Sequence, residues 1–175
     1  MNVKSMAKTA LAAALIAVCA QITVPFTVPF TLQTFAVALA LFILGGKLGT
    51  VACAVYLVLG ACGLPVFSGF RGGVGHILGA SGGFIFGFLF FALLYWALSA
   101  KINSGKLAVP FALCGLLVCY LCGAVWYVAV YGGEKPFALI LPFMIPDVLK
   151  ILLARFISTR VLRALHHDKS DTVGR

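Results

Sequence analysis

Apolar residues run along this chain in long blocks, separated by short glycine-rich or polar interruptions, and the blocks have the length of membrane helices. Bounded by those interruptions, the predicted spans are 7–24, 29–46, 48–64, 75–99, 107–131 and 143–165. At about 1.5 Å rise per residue, a hydrocarbon core of about 30 Å calls for roughly 20 residues. Spans two and three are short. The 36 residues of 29–64 must turn at Gly45, Gly46 and Lys47, so each arm barely crosses or shares the membrane with irregular backbone. The pattern predicts an all-α membrane protein, a single domain over 1–175 formed by a bundle of six transmembrane helices, with a polar tail at 166–175 in which His166 and His167 are solvated. No stretch is left over for a soluble domain.

Composition strengthens this reading. Of 175 residues, 63% are hydrophobic and 10% charged, with mean hydropathy +1.14, a balance that leaves too little polar surface to cover a soluble core. The first apolar run follows Lys4 and Lys8 and continues to Val24 without a convincing small-residue cleavage site, so it reads as a first span and not as a signal peptide. The six cysteines sit mostly within apolar runs, where free cysteine behaves as a small hydrophobe. Cys119 and Cys122 have a metal-like spacing, but no second Cys or His pair accompanies them, and packing is the expected role; no metal or cofactor is expected.

The formal net charge of +9 does not point to nucleic acid, because the basic residues are scattered at span ends. With the N-terminus cytoplasmic, Lys4, Lys8, Lys47, Lys101, Lys106, Arg155, Arg160, Arg163, Lys169 and Arg175 lie inside, against Arg71 and Lys135 outside. Ten against two is a strong positive-inside bias, and an even number of spans returns the C-terminus to the cytoplasm.

Against this background Asp147 and Lys150 stand out, an acid and a base three positions apart inside the apolar run 137–157. That spacing puts both on one helix face. An ionisable group at membrane depth costs about 2.5–3.5 kcal/mol on insertion scales, so such residues face a protein interior and mark ligand, ion or proton sites. Pro146 suits a first helical turn, which would place Asp147 at the outer N-terminus of the last helix, favoured by the macrodipole. The segment 137–145, containing Pro142, then reads as a dipping lid or kinked start, and the site opens outward.

Three further features carry chemistry. Glycines crowd the stretch from Gly63 through Arg71, Gly72 and Gly73 to Gly82 and Gly83; they allow tight helix packing or close approach of backbone to a ligand, and Pro65, Val66, Phe67 and Phe70 beside Arg71 make an apolar surface with one cation. No dinucleotide fingerprint or Walker sequence occurs. His76 has no carboxylate nearby in sequence and reads as a hydrogen-bonded helix-start residue. Gln33, in the first turns of span two, must satisfy an acceptor and two donors, either by bonding neighbouring helices or by reading a polar ligand. Span one carries small residues at Ala10, Ala14 and Ala17, with Ala13 and Ala20 adjacent; spacing of this kind admits a second helix closely, whether from this chain or from a partner.

Taken in order, Val28-Pro29-Phe30-Thr31-Leu32-Gln33, Leu59-Gly60-Ala61-Cys62-Gly63-Leu64-Pro65-Val66-Phe67, Gly72-Gly73, Gly82-Gly83-Phe84 and Pro146-Asp147-Val148-Leu149-Lys150 resemble the BioY family. These are the biotin-specific S components of energy-coupling factor transporters. The resemblance covers residues 10–155 and implies a six-helix, multi-pass protein of the bacterial cytoplasmic membrane with an outward vitamin pocket. It further implies docking through the first helix, here Ala10, Ala14 and Ala17, onto a transmembrane coupling subunit that bears two ATPases. It implies a pocket using the acid and base of the last helix, Asp147 and Lys150, and the loop before the fourth, here Arg71 and Gly72. Arg71 stands where some relatives have Asn or Ser, and Ala80-Ser81 replaces a usual Pro-Thr or Pro-Ser, which implies a looser turn.

Biotin suits these side chains. Its ureido ring offers two N–H donors and a carbonyl, its valerate ends in a carboxylate, and its thioether ring is apolar. The expected contacts are Asp147 to a ureido N–H, Lys150 or Arg71 to the carboxylate, Gln33 as a further polar bond, and Phe67, Phe84, Tyr120 and Trp126 as apolar wall. The alternatives are mutual neutralisation of Asp147 and Lys150, an S component for another vitamin such as thiamine or riboflavin, a solitary biotin carrier, or a membrane-embedded enzyme using Asp147, Lys150 and His76. Cationic thiamine would be repelled by Lys150 and Arg71, and no nucleophile, metal cluster or second acid supports catalysis.

Overall fold

The computed structural model describes residues 2–24, 30–102, 105–132 and 136–173, with the side chains of 131, 136–139 and 166–173 outside that description. Nearly all of it is helical: α1 Val3–Gln21, α2 Gln33–Ala61, a four-residue α3 Val74–Ile77, α4 Gly82–Lys101, α5 Ala108–Tyr131 after a 3-10 turn Gly105–Leu107, and α6 Pro136–Val173. Two short strands, β1 Thr23–Val24 and β2 Phe30–Thr31, pair antiparallel between α1 and α2 and were not expected from the sequence. Of the expected landmarks, Val28, Pro29, Lys135 and Arg175 lie outside the described residues.

α2 contains one non-helical residue, Gly45, at φ 80° and ψ 167°. There the chain folds back on itself. In a straight helix residues eight apart are about 12 Å apart, yet a Cβ on Gly49 would lie 2.9 Å from Leu41 Cα. Gln33 and Tyr56, at the two far ends, come together on one cavity wall. The arms 33–44 and 46–61 are therefore an antiparallel hairpin whose reversal rests on the left-handed φ that glycine accepts without Cβ strain. The predicted turn at Gly45 stands. With α2 counted as two arms the bundle has six principal helices; α1, α4 and α5, and α2 taken whole, have the length and hydropathy of membrane spans.

Three expectations need correction. The span 75–99 is broken: α3 ends at Ile77, a hydrogen-bonded turn follows (Gly82 N to Gly79 O, 3.0 Å), and α4 begins at Gly82. The density of glycine at 72–83 removes helix propensity there. Second, 137–145 is neither a lid nor a start short of a full helix, since α6 runs continuously from Pro136 through both Pro142 and Pro146. Prolines four apart project from nearly one face, so the two carbonyls they leave unpaired fall on the same side while the remaining ladder continues. Asp147 thus lies eleven positions inside the helix, and a macrodipole contribution no longer accounts for it. Third, the helix extends through most of the expected tail, to Val173.

The core is apolar and aromatic: Ile16 of α1, Val37, Leu41, Cys53 and Tyr56 of α2, Phe91 of α4 and Ile151 of α6 are all buried to within a few per cent. α1 packs chiefly on α2, with Thr9, Ala12, Ala13, Ile16, Cys19 and Ala20 facing inward at spacings of three and four. Ala10 and Ala14 consequently face outward beside Leu11, Leu15 and Val18, and Ala17 is half-buried, so the small residues of this helix divide between two faces.

Candidate functional site

At one end of the bundle β2, the start and end of α2, the loop 66–70, α3, the start of α4, the middle of α5 and the first third of α6 enclose a cavity. About 650 Å³ of space free of protein atoms lies between these elements, part of it open to the outside. Asp147 is the acid on its wall and is 5% exposed. Tyr120 Oη donates to its Oδ2 at 2.7 Å and Lys150 Nζ to its Oδ1 at 2.8 Å, so each oxygen has one partner and keeps room for another.

Lys150 belongs to the structure behind that wall. Its ammonium also donates to Thr31 O at 2.6 Å and stands 3.4 Å from the centroid of the Phe30 ring, which stacks on Phe143 at 5.5 Å. A desolvated ammonium over an aromatic face gains about 2 kcal/mol. Lys150 thereby ties α6 to β2 while pairing with Asp147, and it does not line the cavity.

Opposite chemistry comes from α2. Gln33 Nε2 and Tyr56 Oη are buried on the same cavity, close to one another, but neither completes a hydrogen bond among the described residues. An unpaired buried polar group costs about 1–3 kcal/mol. Two such groups on the wall of a largely apolar cavity are explained if an occupant completes them.

The loop between α2 and α3 supplies the aromatic floor. Phe67 and Arg71 exchange backbone hydrogen bonds (Phe67 N to Arg71 O, 2.9 Å; Arg71 N to Phe67 O, 3.2 Å), closing a tight turn over Ser68, Gly69 and Phe70. The Phe67 ring lies against Gly60, where any Cβ would overlap it, edge-on to Tyr56 at 5.6 Å and stacked on His76 at 5.5 Å. Gln21, the last residue of α1, holds this loop: its Nε2 faces Val66 O and Phe67 O at 3.1 Å each, and Phe70 N donates to its Oε1 at 2.9 Å. Ser68 Oγ donates to Thr23 Oγ1 at 3.2 Å. The loop 66–70 and strand β2 are therefore both fastened to the end of α1, the latter by pairing with β1.

Of the residues singled out from sequence, Asp147, Gln33, Phe67, Phe84 and Tyr120 line the cavity. Lys150, Arg71, Gly72 and Trp126 do not. Arg71 is exposed on the rim, and Gly72 is wedged against Leu64 O. Trp126 donates from Nε1 to Gly79 O at 3.0 Å and packs on Gly83, so it fixes where α4 begins. His76 sits in α3 with its backbone N–H donating to Gly73 O at 3.2 Å, as expected of a helix-start residue, while its ring, without a hydrogen bond among the described residues, faces the cavity. Tyr56 and Gln21 were not found from sequence: each matters through partners 11 and 45 or more positions away, and Tyr56 does not interrupt its apolar run, while Gln21 is a polar break whose partners lie in a distant loop. Phe30 and Phe143 were hidden among the chain's 15 phenylalanines.

The chain was compared with known proteins. The BioY family model matches residues 1–167. A protein of Pyrococcus horikoshii named a probable biotin transporter BioY is 43% identical over 131 residues, covering 74% of this chain and 78% of that protein. The biotin transporter BioY of Thermotoga maritima is 37% identical over 132 residues, with the same coverage of 74% and 78%. Among solved structures, the S component for biotin from an ECF-type ABC transporter superimposes with a TM-score of 0.85 at 27% identity over 92% of each chain. A helical bundle of the same shape, with matching sequence along nearly its whole length, identifies the chain as a member of the BioY family.

Proposed function

We propose that the chain captures biotin in the cavity beside Asp147 and carries it across the membrane as the substrate-binding S component of an energy-coupling factor transporter. The observation that carries this reading is the pairing of opposite hydrogen-bonding needs in one cavity. Asp147 has acceptor capacity left after Tyr120 and Lys150 are served, and Gln33 Nε2 and Tyr56 Oη, which face one another, close no hydrogen bond among the described residues. A cyclic urea offers N–H groups to the first and a carbonyl to the second. Phe67, Phe84 and Phe88 provide apolar surface for the thioether ring. Relatives named as biotin transporters, and not as enzymes, support carriage without chemistry at this site.

Six transmembrane helices with both termini cytoplasmic fit the charge distribution. Gln21 at the end of α1 meets the cavity loop, so Lys4 and Lys8 lie at the opposite end, as do the α2 reversal with Lys47, the end of α4 with Lys101, and Arg155 beside Gly105. Basic residues gather at the end away from the cavity, which under the positive-inside bias is the cytoplasmic one. The cavity then opens outward, and energy for transport comes from a coupling subunit with two ATPases. The outward placement of Ala10 and Ala14 supports α1 as the docking helix.

Calorimetry on the purified, folded protein tests the ligand, with saturable biotin binding expected and no binding at micromolar concentration overturning the reading. Ala14→Trp tests the partner: co-purification with the coupling subunit should be lost while biotin affinity persists, and retained co-purification removes α1 from the docking face.

A further inference from the structure

If biotin is the ligand, its carboxylate needs a partner, and the cations expected to provide one are placed elsewhere. Lys150 is occupied by Asp147, Thr31 O and the Phe30 ring, and Arg71 is outside the cavity wall. The ureido end belongs near Asp147, whose charge excludes a second carboxylate from its vicinity. The anionic end must therefore lie away from α6.

Among the described residues, His76 of α3 is the basic side chain on the wall. Its ring is held face-on by Phe67 at 5.5 Å and an interplanar angle of 28°, is partly buried, and makes no hydrogen bond through either nitrogen among the described residues. Phe67 is in turn fixed by Gly60 and by the Gln21 contacts, so the imidazole is positioned by the same scaffold that forms the floor. We propose that His76 receives the ligand's carboxylate, taking up a proton on binding, and so makes this chain's affinity for an anionic ligand rise as pH falls. The proposal rests on the biotin reading of the cavity.

The other groups facing the site are Arg71 on the rim beside His76, Tyr56 of α2, Cys119 and Tyr120 of α5, and Asp147 of α6; the first half of α4 presents no titratable side chain. Burial first and then the Arg71 guanidinium hold the imidazole below its usual range. It is thus neutral near pH 7, and a bound carboxylate reverses the balance by favouring the charged form. A carboxyl group of the valerate type titrates at about 4–5, so the ligand stays anionic above pH 6.

Calorimetry at pH 6 and pH 8 with biotin and with biotinamide, which keeps the ureido ring and lacks the charge, separates His76 from Asp147. For the wild-type protein, biotin should bind roughly five- to tenfold tighter at pH 6, and biotinamide equally at both. His76→Gln should bind biotin with one affinity across this range, near the wild-type value at pH 8. A flat biotin profile in the wild type, an equal trend for biotinamide, or a trend surviving in His76→Gln overturns the role of His76 and leaves biotin binding standing. Failure of the folded wild type to bind either compound overturns both readings.

Discussion

The two ends of the bundle handle polar groups in opposite ways. At the end away from the cavity every such group named here is closed on another: Arg155 Nη2 donates to Gly105 O at 2.8 Å with its guanidinium 5.8 Å from the Phe42 ring, Ser158 Oγ donates to Arg155 O, and the Thr50 hydroxyl is shared between Gly46 O and Ala92 O at 2.7 and 3.0 Å. At the cavity end, Gln33 and Tyr56 are buried with donors unused, and Asp147 has lone pairs to spare. Packing alone does not produce this difference, since both ends are lined by aromatic residues and glycine. One end closes its polar groups on one another, and the other keeps buried donors and acceptor capacity in reserve.

The contrast breaks most visibly at Asp147. Asp147→Asn keeps the shape and a hydrogen bond from Tyr120 but leaves Lys150 without a counter-charge, and a charge-assisted hydrogen bond is worth about 1.5–3 kcal/mol. Biotin affinity measured by calorimetry should fall by roughly 10- to 150-fold; wild-type affinity would mean that the carboxylate is structural only. Asp147→Ala is the poorer probe, because removing one partner of a buried pair costs about 3–5 kcal/mol of stability and confounds binding with folding.

A smaller effect is expected at Gln21, which touches the loop and not the cavity. Gln21→Leu removes its side-chain contacts to 66, 67 and 70, each worth about 1 kcal/mol. It should raise the biotin dissociation rate about tenfold by loosening Phe67, read by isotope chase. An unchanged rate would show that the turn closed by Phe67 and Arg71 is rigid without its anchor. Smallest of all is Arg155→Met at the closed end: affinity should stay within about twofold, while stability falls by about 1–2 kcal/mol and thermal unfolding shifts accordingly. A marked loss of affinity there would dissolve the distinction between the two ends.

What could be read from the sequence followed from local physics. An acid and a base within an apolar run have to be buried together, and Asp147 and Lys150 are in fact paired at 2.8 Å. A long apolar stretch with glycines at its centre has to reverse, and it does so at Gly45. Residues whose meaning comes from distant partners were illegible. Lys150 sits where the sequence suggests a ligand contact, yet the backbone carbonyl of Thr31, 119 positions away, accepts a hydrogen bond from its ammonium. Trp126 resembled pocket wall until Gly79 was seen to accept its N–H. Pro142 and Pro146 argued for a helix break, and only the surrounding packing of α6 overrides that local preference.

The hairpin of α2 has a consequence for the surrounding lipid. At helical rise its arms, 33–44 and 46–61, measure about 18 and 24 Å, less than a typical hydrocarbon thickness of about 30 Å. A pair of arms this short meets the bilayer with a hydrophobic mismatch, which lipid relieves by thinning locally while Lys47 extends its ammonium from the turn toward the headgroups. On its flank of the bundle the hairpin calls for a thinner hydrocarbon layer than α4 and α5, whose 20 and 24 residues measure about 30 and 36 Å at helical rise.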